Sequence, residues 1–486
     1  MKILLASSEV YPFSKTGGLA DMVGALGRAL TAAGHEACIV TPLYRGIREK
    51  FTQIFREDWS FNLPMGDKWV QAGLCSAEME NGLKVYFVDM PEFYDRAGIY
   101  HEKNVSYPDN DQRFIFFSKC VVHLAQYLPW RPDLVHVHDW QVGLVPAMLQ
   151  QKKSEGWGNP PPTCLTIHNL AYQGVFPPEA FDLTGLPKDI FNPDGAEFFG
   201  LLNCLKAGIA FADIITTVSP RYAREIGTEE YGCGLDGLIR RRRDRVYGIL
   251  NGVDYDEWNT TKNPHLSKPY SVTRMTGKTL NKRELQKSFG LPATDKIPMF
   301  GTITRLADQK GVDIQLGALE EMLTTNMQFV LLGSGSPEYE KGYRALALRY
   351  PKKVAVRIGY DEKLAHRIEA ACDFYLMPSQ FEPCGLNQMY SLRYGTIPIV
   401  RATGGLDDSV VDMVQDAKRA NGIKFHEYSA RALAKAIRKA LAIHDSPELM
   451  RRYRRNAMKA DYSWEQTVNE YVRIYEVTAN ANIRGY

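Results

Sequence analysis

Residues 2–40, KILLASSEVYPFSKTGGLADMVGALGRALTAAGHEACIV, decide the fold class. Lys2–Ala6 is an apolar run of strand length. Gly17-Gly18 opens a segment in which Leu19, Met22, Val23, Leu26 and Leu30 recur on one helical face. Gly34 ends that helix, and Ala37–Val40 resumes an apolar strand. A strand, a helix and a second strand in this order make a βαβ unit, which implies a parallel sheet with helices on its faces.

The same rhythm continues outward. Apolar runs at Val85–Val88, Leu134–Val137, Cys164–Ile167 and Ile214–Val218 alternate with helical patterns at Phe114–Tyr127 and Val142–Gln151. About six strands make one doubly wound domain ending near residue 250. Residues 255–295 are rich in Asn, Thr, Lys and Pro and show little apolar periodicity. A second series then starts, with a strand at Met299–Thr302, a helix at Val312–Leu323 and strands at Phe329–Leu332, Val354–Ile358, Phe374–Met377 and Ile397–Val400. An amphipathic helix, Trp464–Asn482, follows. The expected architecture is α/β: two Rossmann-like doubly wound domains, 1–250 and 251–460, facing a central cleft, with 461–486 as a helical tail. Open α/β sheets bind ligands beyond the carboxyl ends of their strands, so the loops at those ends are where chemistry is sought.

Composition narrows the function classes. The 486 residues carry 59 Lys+Arg against 56 Asp+Glu, a net charge of +3, which excludes a strongly basic nucleic-acid binder. With 45% hydrophobic residues and 47 Phe and Tyr together (21 + 26), the chain builds large cores and is no disordered scaffold. The longest apolar run near the N-terminus, Ile3–Ala6, is too short for a signal-peptide core or a membrane span. The eight cysteines contain no C-x-x-C pair, which argues against a zinc site and for reduced thiols in a cytoplasm-like compartment. The arginine runs 240–243 and 451–455 are short and read as solvated faces rather than as a polyanion site.

Several loops carry chemistry. Lys15-Thr16-Gly17-Gly18 lies between the first strand and its helix, where exposed N–H groups and a helix dipole favour an anion. Thr403-Gly404-Gly405 repeats the device after the strand Ile397–Val400. Arg305 and Lys310 follow the strand Met299–Thr302 and are placed to stabilise developing phosphate charge. Glu382-Pro383-Cys384-Gly385-Leu386 opens a helix at Asn387–Tyr394; its carboxylate and exposed N–H groups suit a polyol such as a sugar. Cys384 is a weaker candidate nucleophile, since a helix N-terminus lowers a thiol pKa but no base is placed beside it by sequence. His136 and His138 share a strand face, and Asp109-Asn110-Asp111 and Asp254-Tyr255-Asp256 are D-x-D matches. Caps or turns account for the latter more cheaply than a metal does, and a metal-free site is expected.

In this order, Lys15-Thr16-Gly17-Gly18-Leu19-Ala20-Asp21, His138-Asp139-Trp140, Ile167-His168-Asn169-Leu170-Ala171-Tyr172-Gln173-Gly174, Asn251-Gly252-Val253-Asp254, Glu382-Pro383-Cys384-Gly385-Leu386 and Thr403-Gly404-Gly405-Leu406 closely resemble the bacterial glycogen synthase and plant starch synthase family. The resemblance spans residues 1 to about 465. It implies a retaining GT-B glycosyltransferase that moves glucose from ADP-glucose to the non-reducing 4-hydroxyl of an α-1,4-glucan (glycogen, starch or a maltooligosaccharide). It implies no cofactor or metal, no nucleic-acid or membrane partner, and a cytoplasmic enzyme, or a stromal one for a processed plant-type chain. Arg305 and Lys310 would neutralise the diphosphate, assisted by Lys15, Gly17, Gly18 and the Thr403–Gly405 loop. Glu382 and the backbone of Cys384, Gly385 and Leu386 would hold the glucosyl hydroxyls. Asp139, Asn251 and His168 would line the other face of the sugar, and Tyr360 would stack on adenine. The final helix resembles a family tail that crosses back to the N-terminal domain.

One departure concerns the wider GT-B pattern, which has a second Glu seven residues after the first. Here that position is Tyr390, which leaves the ribose contact unassigned. Three alternatives stand beside the main reading: the same chemistry with UDP-glucose or another acceptor, a catalytically silent glucan-binding homologue, and a glucan phosphorylase, which needs a lysine-bound pyridoxal phosphate.

Overall fold

A computed structural model describes residues 1–103 and 105–483. The chain forms two compact units. The first contains Met1–Val218, Ala223–Gly252 and the segment that begins at Trp464; the second contains Ser219–Tyr222 and Val253–Ser463.

The first unit is built on a nine-stranded sheet. Its order is Val246–Gly248, Ile214–Thr217, Thr163–Ile167, Leu134–His138, Lys2–Ala6, Glu36–Pro42, Lys84–Asp89, Lys68–Glu78 and Phe55–Met65. The first seven run parallel, with Ile3 opposite both Ala37 and Leu134. Their near-continuous burial follows from helices covering both faces of a parallel sheet. The helix Gly18–Ala32 buries Met22, Val23, Leu26 and Leu30, the face its sequence spacing predicts. Strand Lys2–Ala6 has Glu36–Pro42 on one side and Leu134–His138 on the other, so connections leave it in opposite directions. That reversal opens a crevice at its carboxyl end.

The second unit repeats the principle with six parallel strands: Val354–Ile358, Gln328–Gly335, Met299–Leu306, Phe374–Met377, Ile397–Arg401 and Ile423–Phe425. Strand order reverses between Met299–Leu306 and Phe374–Met377, which puts this unit's crevice beyond Leu306 and Met377. Phe300, Phe329, Leu331 and Phe374 pack with residues of the helices Val312–Met322 and Ala430–His444 to form its main core.

Four departures from the sequence expectation have physical reasons. The antiparallel ribbon Phe55–Met65 and Lys68–Glu78 extends the first sheet where no strand is expected, because its half-exposed faces alternate polar and apolar residues without a long apolar run. The helix expected over Val142–Gln151 begins at Val145, after a 3₁₀ turn at Trp140–Val142 and with Pro146 in its first turn. Ser219–Tyr222, inside the stretch 1–250, group with the second unit, where Ser219 Oγ donates to the Pro383 carbonyl (2.6 Å) and the Arg221 N–H to Asp408 (2.5 Å). The polar stretch 255–295 contains the helix Thr276–Ser288, whose buried face carries lysines.

Those lysines are fully used. Lys278 Nζ donates to the carbonyls of Glu369 (3.2 Å) and Ala370 (3.1 Å) and to Thr396 Oγ1 (2.6 Å). Lys282 Nζ meets Asp373 Oδ2 at 2.6 Å, and Arg454 Nη2 meets Asp373 Oδ1 at 2.6 Å. One arginine of the 451–455 run is thus a structural ion-pair partner rather than part of a solvated face. Burial alone would raise the Asp373 carboxyl, but Lys282 and Arg454 overcome it and hold the group down at about 2. An unfolded Asp titrates near pH 4, so this stability is present above that value and drains away as pH falls toward 2. Asp373→Asn is expected to lose about 3–5 kcal/mol at neutral pH. The gap in denaturant midpoint between variant and wild type should close as pH drops from about 4 to about 2; a gap independent of pH would show that the charge is not its cause.

The C-terminal helix Trp464–Ile483 belongs to the first unit. Tyr475 Oη lies 2.7 Å from His136 Nδ1, and Thr467 Oγ1 donates to the Leu250 carbonyl at 3.2 Å. Gly252 lies so close to Trp464 that a Cβ there would stand 2.6 Å from the indole.

Candidate active site

In the second unit, the crevice at the strand reversal is a cavity of ≈ 190 Å³ lined by residues that include Thr304, Arg305, Lys310, Ser379, Glu382 and Gly385. Arg305 is the next-to-last residue of the long strand Met299–Leu306 and is exposed, and no ion pair or hydrogen bond to its guanidinium occurs among the described residues. Lys310 Nζ meets Glu382 Oε2 at 2.6 Å, with the two side chains only 19% and 9% exposed, so this pair is partly shielded from water. Ser379 Oγ donates to the same carboxylate oxygen at 3.0 Å. The cavity therefore offers a cation, an ion pair and a carboxylate with remaining acceptor capacity.

The loop geometry that presents them is sterically tight. Gly311 has φ +68°, and a Cβ there would lie 2.1 Å from the Pro378 carbonyl oxygen. Gly404 has φ +45° and would clash with the Glu382 carbonyl, and a Cβ at Gly405 would stand 2.0 Å from the Cys384 carbonyl oxygen. Gly404 and Gly405 are thus required by packing against the 382–384 backbone, whatever else they touch. Cys384 is buried, as is Thr403, while Leu386 and Gly385 line the cavity. Tyr360 follows the strand Val354–Ile358 and is 85% exposed. Tyr390 stacks face to face on Trp258 at 3.7 Å and 5° between planes, so packing explains it.

In the first unit, the reversal at Lys2–Ala6 gathers the 7–18 loop, Asp139 and His168. A Cβ on Gly17 or Gly18 would meet no protein atom within 4 Å, so that backbone faces open space, unlike the loop at 403–405. Lys15 Nζ pairs with Asp21 at 2.7 Å, with both side chains more than a third exposed. Such a pair is weak enough to yield to a ligand. Asn251 is buried, and its Oδ1 accepts no hydrogen bond among the described residues.

Asp139 is buried with φ +60° and ψ −171°, a conformation an L side chain rarely adopts. Its carboxylate accepts the backbone N–H of His168 at 2.8 Å and that of Asn169. Burial outweighs these bonds and, with Glu9 nearby, raises the group to about 7. Strain, burial and a displaced pKa coincide at this one residue, which makes it a candidate functional group. His168 Nε2 lies 3.1 Å from His138 Nδ1, and burial lowers His168 to about 3. Both nitrogens of His136, one of the two histidines that share a strand face, are occupied, one by Tyr475 and the other by Thr166 Oγ1 at 2.6 Å. Asp109 is held by Arg96 through two contacts of 2.5 and 2.6 Å, and Asp254 caps the turn at Asp256 and Glu257.

Sequence reasoning missed Glu9. Its buried carboxylate accepts the backbone N–H and the hydroxyl (2.7 Å) of Thr16 and the hydroxyl of Tyr100 (2.6 Å), and so pins the Gly-Gly loop. An acidic residue three positions past a buried strand, in Ser7-Ser8-Glu9, was the available signal.

Residues 2–241 match the starch synthase catalytic domain, and residues 281–460 match glycosyl transferases group 1. Proteins called glycogen synthase from Koribacter versatilis and Myxococcus xanthus are 44% and 45% identical; each alignment covers 98% of this chain, and 98% and 99% of the relative. The catalytic domain of Arabidopsis thaliana starch synthase IV, bound to ADP and acarbose, superposes with a TM-score of 0.88 at 33% identity, covering 99% of both chains. Sucrose-phosphate synthase from Thermosynechococcus elongatus shares the fold at a TM-score of 0.61 and 18% identity over 99% of both chains. Two Rossmann-like units of this kind define a GT-B glycosyltransferase. The chain belongs to the glycogen synthase and starch synthase family. Among the described residues, no helix is long and apolar enough to cross a membrane.

The Asp139 carboxyl makes a pH-dependent prediction. An unfolded Asp ionises near pH 4, whereas the folded one keeps its proton to about 7, so wild-type stability falls as pH climbs through that window. Asp139→Asn carries no such titration. Its melting temperature relative to wild type should therefore rise steadily from about pH 4 to about pH 7. A flat difference in thermal scans would remove burial of an ionisable group as the account.

Proposed function

We propose that this chain transfers glucose from ADP-glucose to the non-reducing 4-hydroxyl of an α-1,4-glucan with retention of configuration, elongating glycogen or starch. The observation that carries this reading is the cavity at the strand reversal of the second unit, with Arg305, Lys310 and Glu382 on its wall. A nucleoside diphosphate leaving group needs cations at a strand's carboxyl end, and a glucosyl group needs a hydroxyl acceptor close by. The ADP bound to the Arabidopsis starch synthase supports an adenine nucleotide, and the exposed ring of Tyr360 is the surface for that base.

In this reading the bond from the anomeric carbon to the diphosphate oxygen breaks while the acceptor 4-oxygen bonds to the same face of that carbon. Arg305 and Lys310 take up the negative charge that builds on the diphosphate, and the departing phosphate oxygen receives the acceptor's proton. Glu382 and the N–H groups of Gly385 and Leu386 orient the sugar, and Asp139, His168 and Asn251 serve the glucosyl and acceptor side. Glu382 is the one carboxylate lining the cavity among the described residues, and it is tied to Lys310. A double-displacement route uses two carboxylates about 5 Å apart, which this cavity does not offer. No step calls for a metal.

The test is incorporation of labelled glucose into glycogen from ADP-glucose or UDP-glucose, with and without EDTA. ADP-glucose should be the preferred donor, and EDTA should leave the rate unchanged. Arg305→Ala should cut kcat/KM about 10²–10³-fold, the usual cost of deleting one group that stabilises transition-state charge. Preference for UDP-glucose would revise the donor, and a covalent glucosyl adduct on any side chain would refute the single-step route. Absence of transfer from either donor, with glucan binding intact, would favour a silent homologue.

A further inference from the structure

A second cluster in the C-terminal unit lies outside the cavity and has no part in the transfer chemistry. His265, Glu362 and His366 each direct one ligand-type atom to a common spot, with all three atoms within 4.8 Å of one another. Glu362 and His366 are four residues apart on the helix Glu362–Ala371, so they project from one side of it, one turn apart. His265 approaches from the irregular segment that precedes the helix Thr276–Ser288. Burial is graded, with His366 buried, His265 half-buried and Glu362 exposed, so the cluster has a fixed inner wall and an open mouth.

The inner histidine is held in the manner of a ligand. Its Nδ1 lies 2.9 Å from Tyr394 Oη, and the Tyr394 hydroxyl has a further acceptor in the Asn259 carbonyl at 3.3 Å. Asn263 Nδ2 stands 3.1 Å from the same hydroxyl and also donates to the Glu257 carbonyl at 3.0 Å. Asn263 Nδ2 also lies 3.2 Å from His366 Nδ1, so Tyr394 and Asn263 together occupy that nitrogen, and Nε2, which has no hydrogen-bond partner among the described residues, is the ring atom left for a ligand. Ligating histidines commonly fix their orientation by donating the other ring N–H to such a partner. Trp258 stacks on the His366 ring at 4.2 Å and locks its plane. On the outer side, the His265 backbone N–H donates to Asn263 Oδ1 at 2.8 Å, and its ring centroid is 5.1 Å from that of His366.

Two imidazoles and a carboxylate converging from a buttressed wall are borderline-soft nitrogen and hard oxygen donors in the number that Zn²⁺ takes from a protein when a fourth position is left to water. We propose that His265, Glu362 and His366 form a site for a divalent transition-metal ion, Zn²⁺ foremost, which fastens the 254–270 segment to the start of the helix Glu362–Ala371. The proposal is independent of the transfer chemistry, since none of the three residues touches the cavity at Arg305, Lys310 and Glu382.

The full chain is stripped with EDTA, desalted and titrated with Zn²⁺ against a chromogenic chelator, and separately with Co²⁺, whose visible d–d bands report nitrogen and oxygen ligation. The expected result is one equivalent of Zn²⁺ per chain at micromolar free metal, with a raised melting temperature. Glu362→Gln and His265→Ala, both at the solvent side, should weaken binding roughly tenfold or more and abolish the Co²⁺ bands while leaving the metal-free melting temperature near wild type. Cys233→Ser removes an exposed thiol that is the obvious rival ligand and should bind as wild type does. Failure of the wild-type chain to retain Zn²⁺ would overturn the proposal. So would undiminished binding in Glu362→Gln and His265→Ala, or loss of binding in Cys233→Ser.

Discussion

The contact on which the C-terminal site depends is between two stretches of backbone. Gly404 and Gly405 press against the carbonyls of Glu382 and Cys384 at distances that no Cβ permits. The Gly405 N–H donates back to the Glu382 and Pro383 carbonyls at 3.1 Å each. This contact sets where the 382–386 loop leaves the sheet, and hence where the Glu382 carboxylate points. Lys310 and Ser379 then hold that carboxylate from the other side. A side chain gripped through its own backbone and through both neighbours loses little further freedom when a ligand arrives, and preorganisation of this kind makes electrostatic stabilisation effective. Arg305, by contrast, sits exposed at a strand end, a cation kept in water until a counter-charge is delivered.

Both units apply one topological rule to different ends. In each, the strand order reverses once, and the loops beyond the reversal carry the unusual residues. In the C-terminal unit those loops are packed backbone against backbone. In the N-terminal unit the 15–18 loop is held at one point, by the Glu9 carboxylate on Thr16, and its glycines face open space. Asp139, at the next strand, is strained and uncharged to about pH 7. One crevice is rigid and cationic, and the other is supplied with acceptors and neutral rings.

Legibility in the sequence followed the strength of local pattern. The strand, helix and strand of residues 2–40 combine a buried apolar run with a sustained helical period, and both survive into the structure. The ribbon over residues 55–78 is half exposed and alternates, so it left no run to read. The helix Thr276–Ser288 was hidden by its lysines, whose burial depends on partners about 90–120 residues away, Asp373 and Thr396. At the site, Arg305, Lys310 and Glu382 were legible because each follows a clear strand, and the structure gathers them in one cavity. Glu9 was not, since its worth lies in a loop seven residues on and a tyrosine 91 residues away. The two Gly-Gly pairs look alike in sequence, but one is demanded by a neighbouring backbone and the other is not, a difference that arises only in the folded chain.

The membership of the C-terminal helix in the first unit has a temporal consequence. A ribosome delivers residues 1–218 early, yet the helix that supplies Tyr475 to His136 follows only after the whole of Val253–Ser463 has been made. Throughout that interval the nascent first unit must carry an apolar seam and an imidazole that lacks one of its two hydrogen-bond partners where the helix belongs. The unit begun first is completed last, and the second unit is the earlier of the two to have all of its chain in hand.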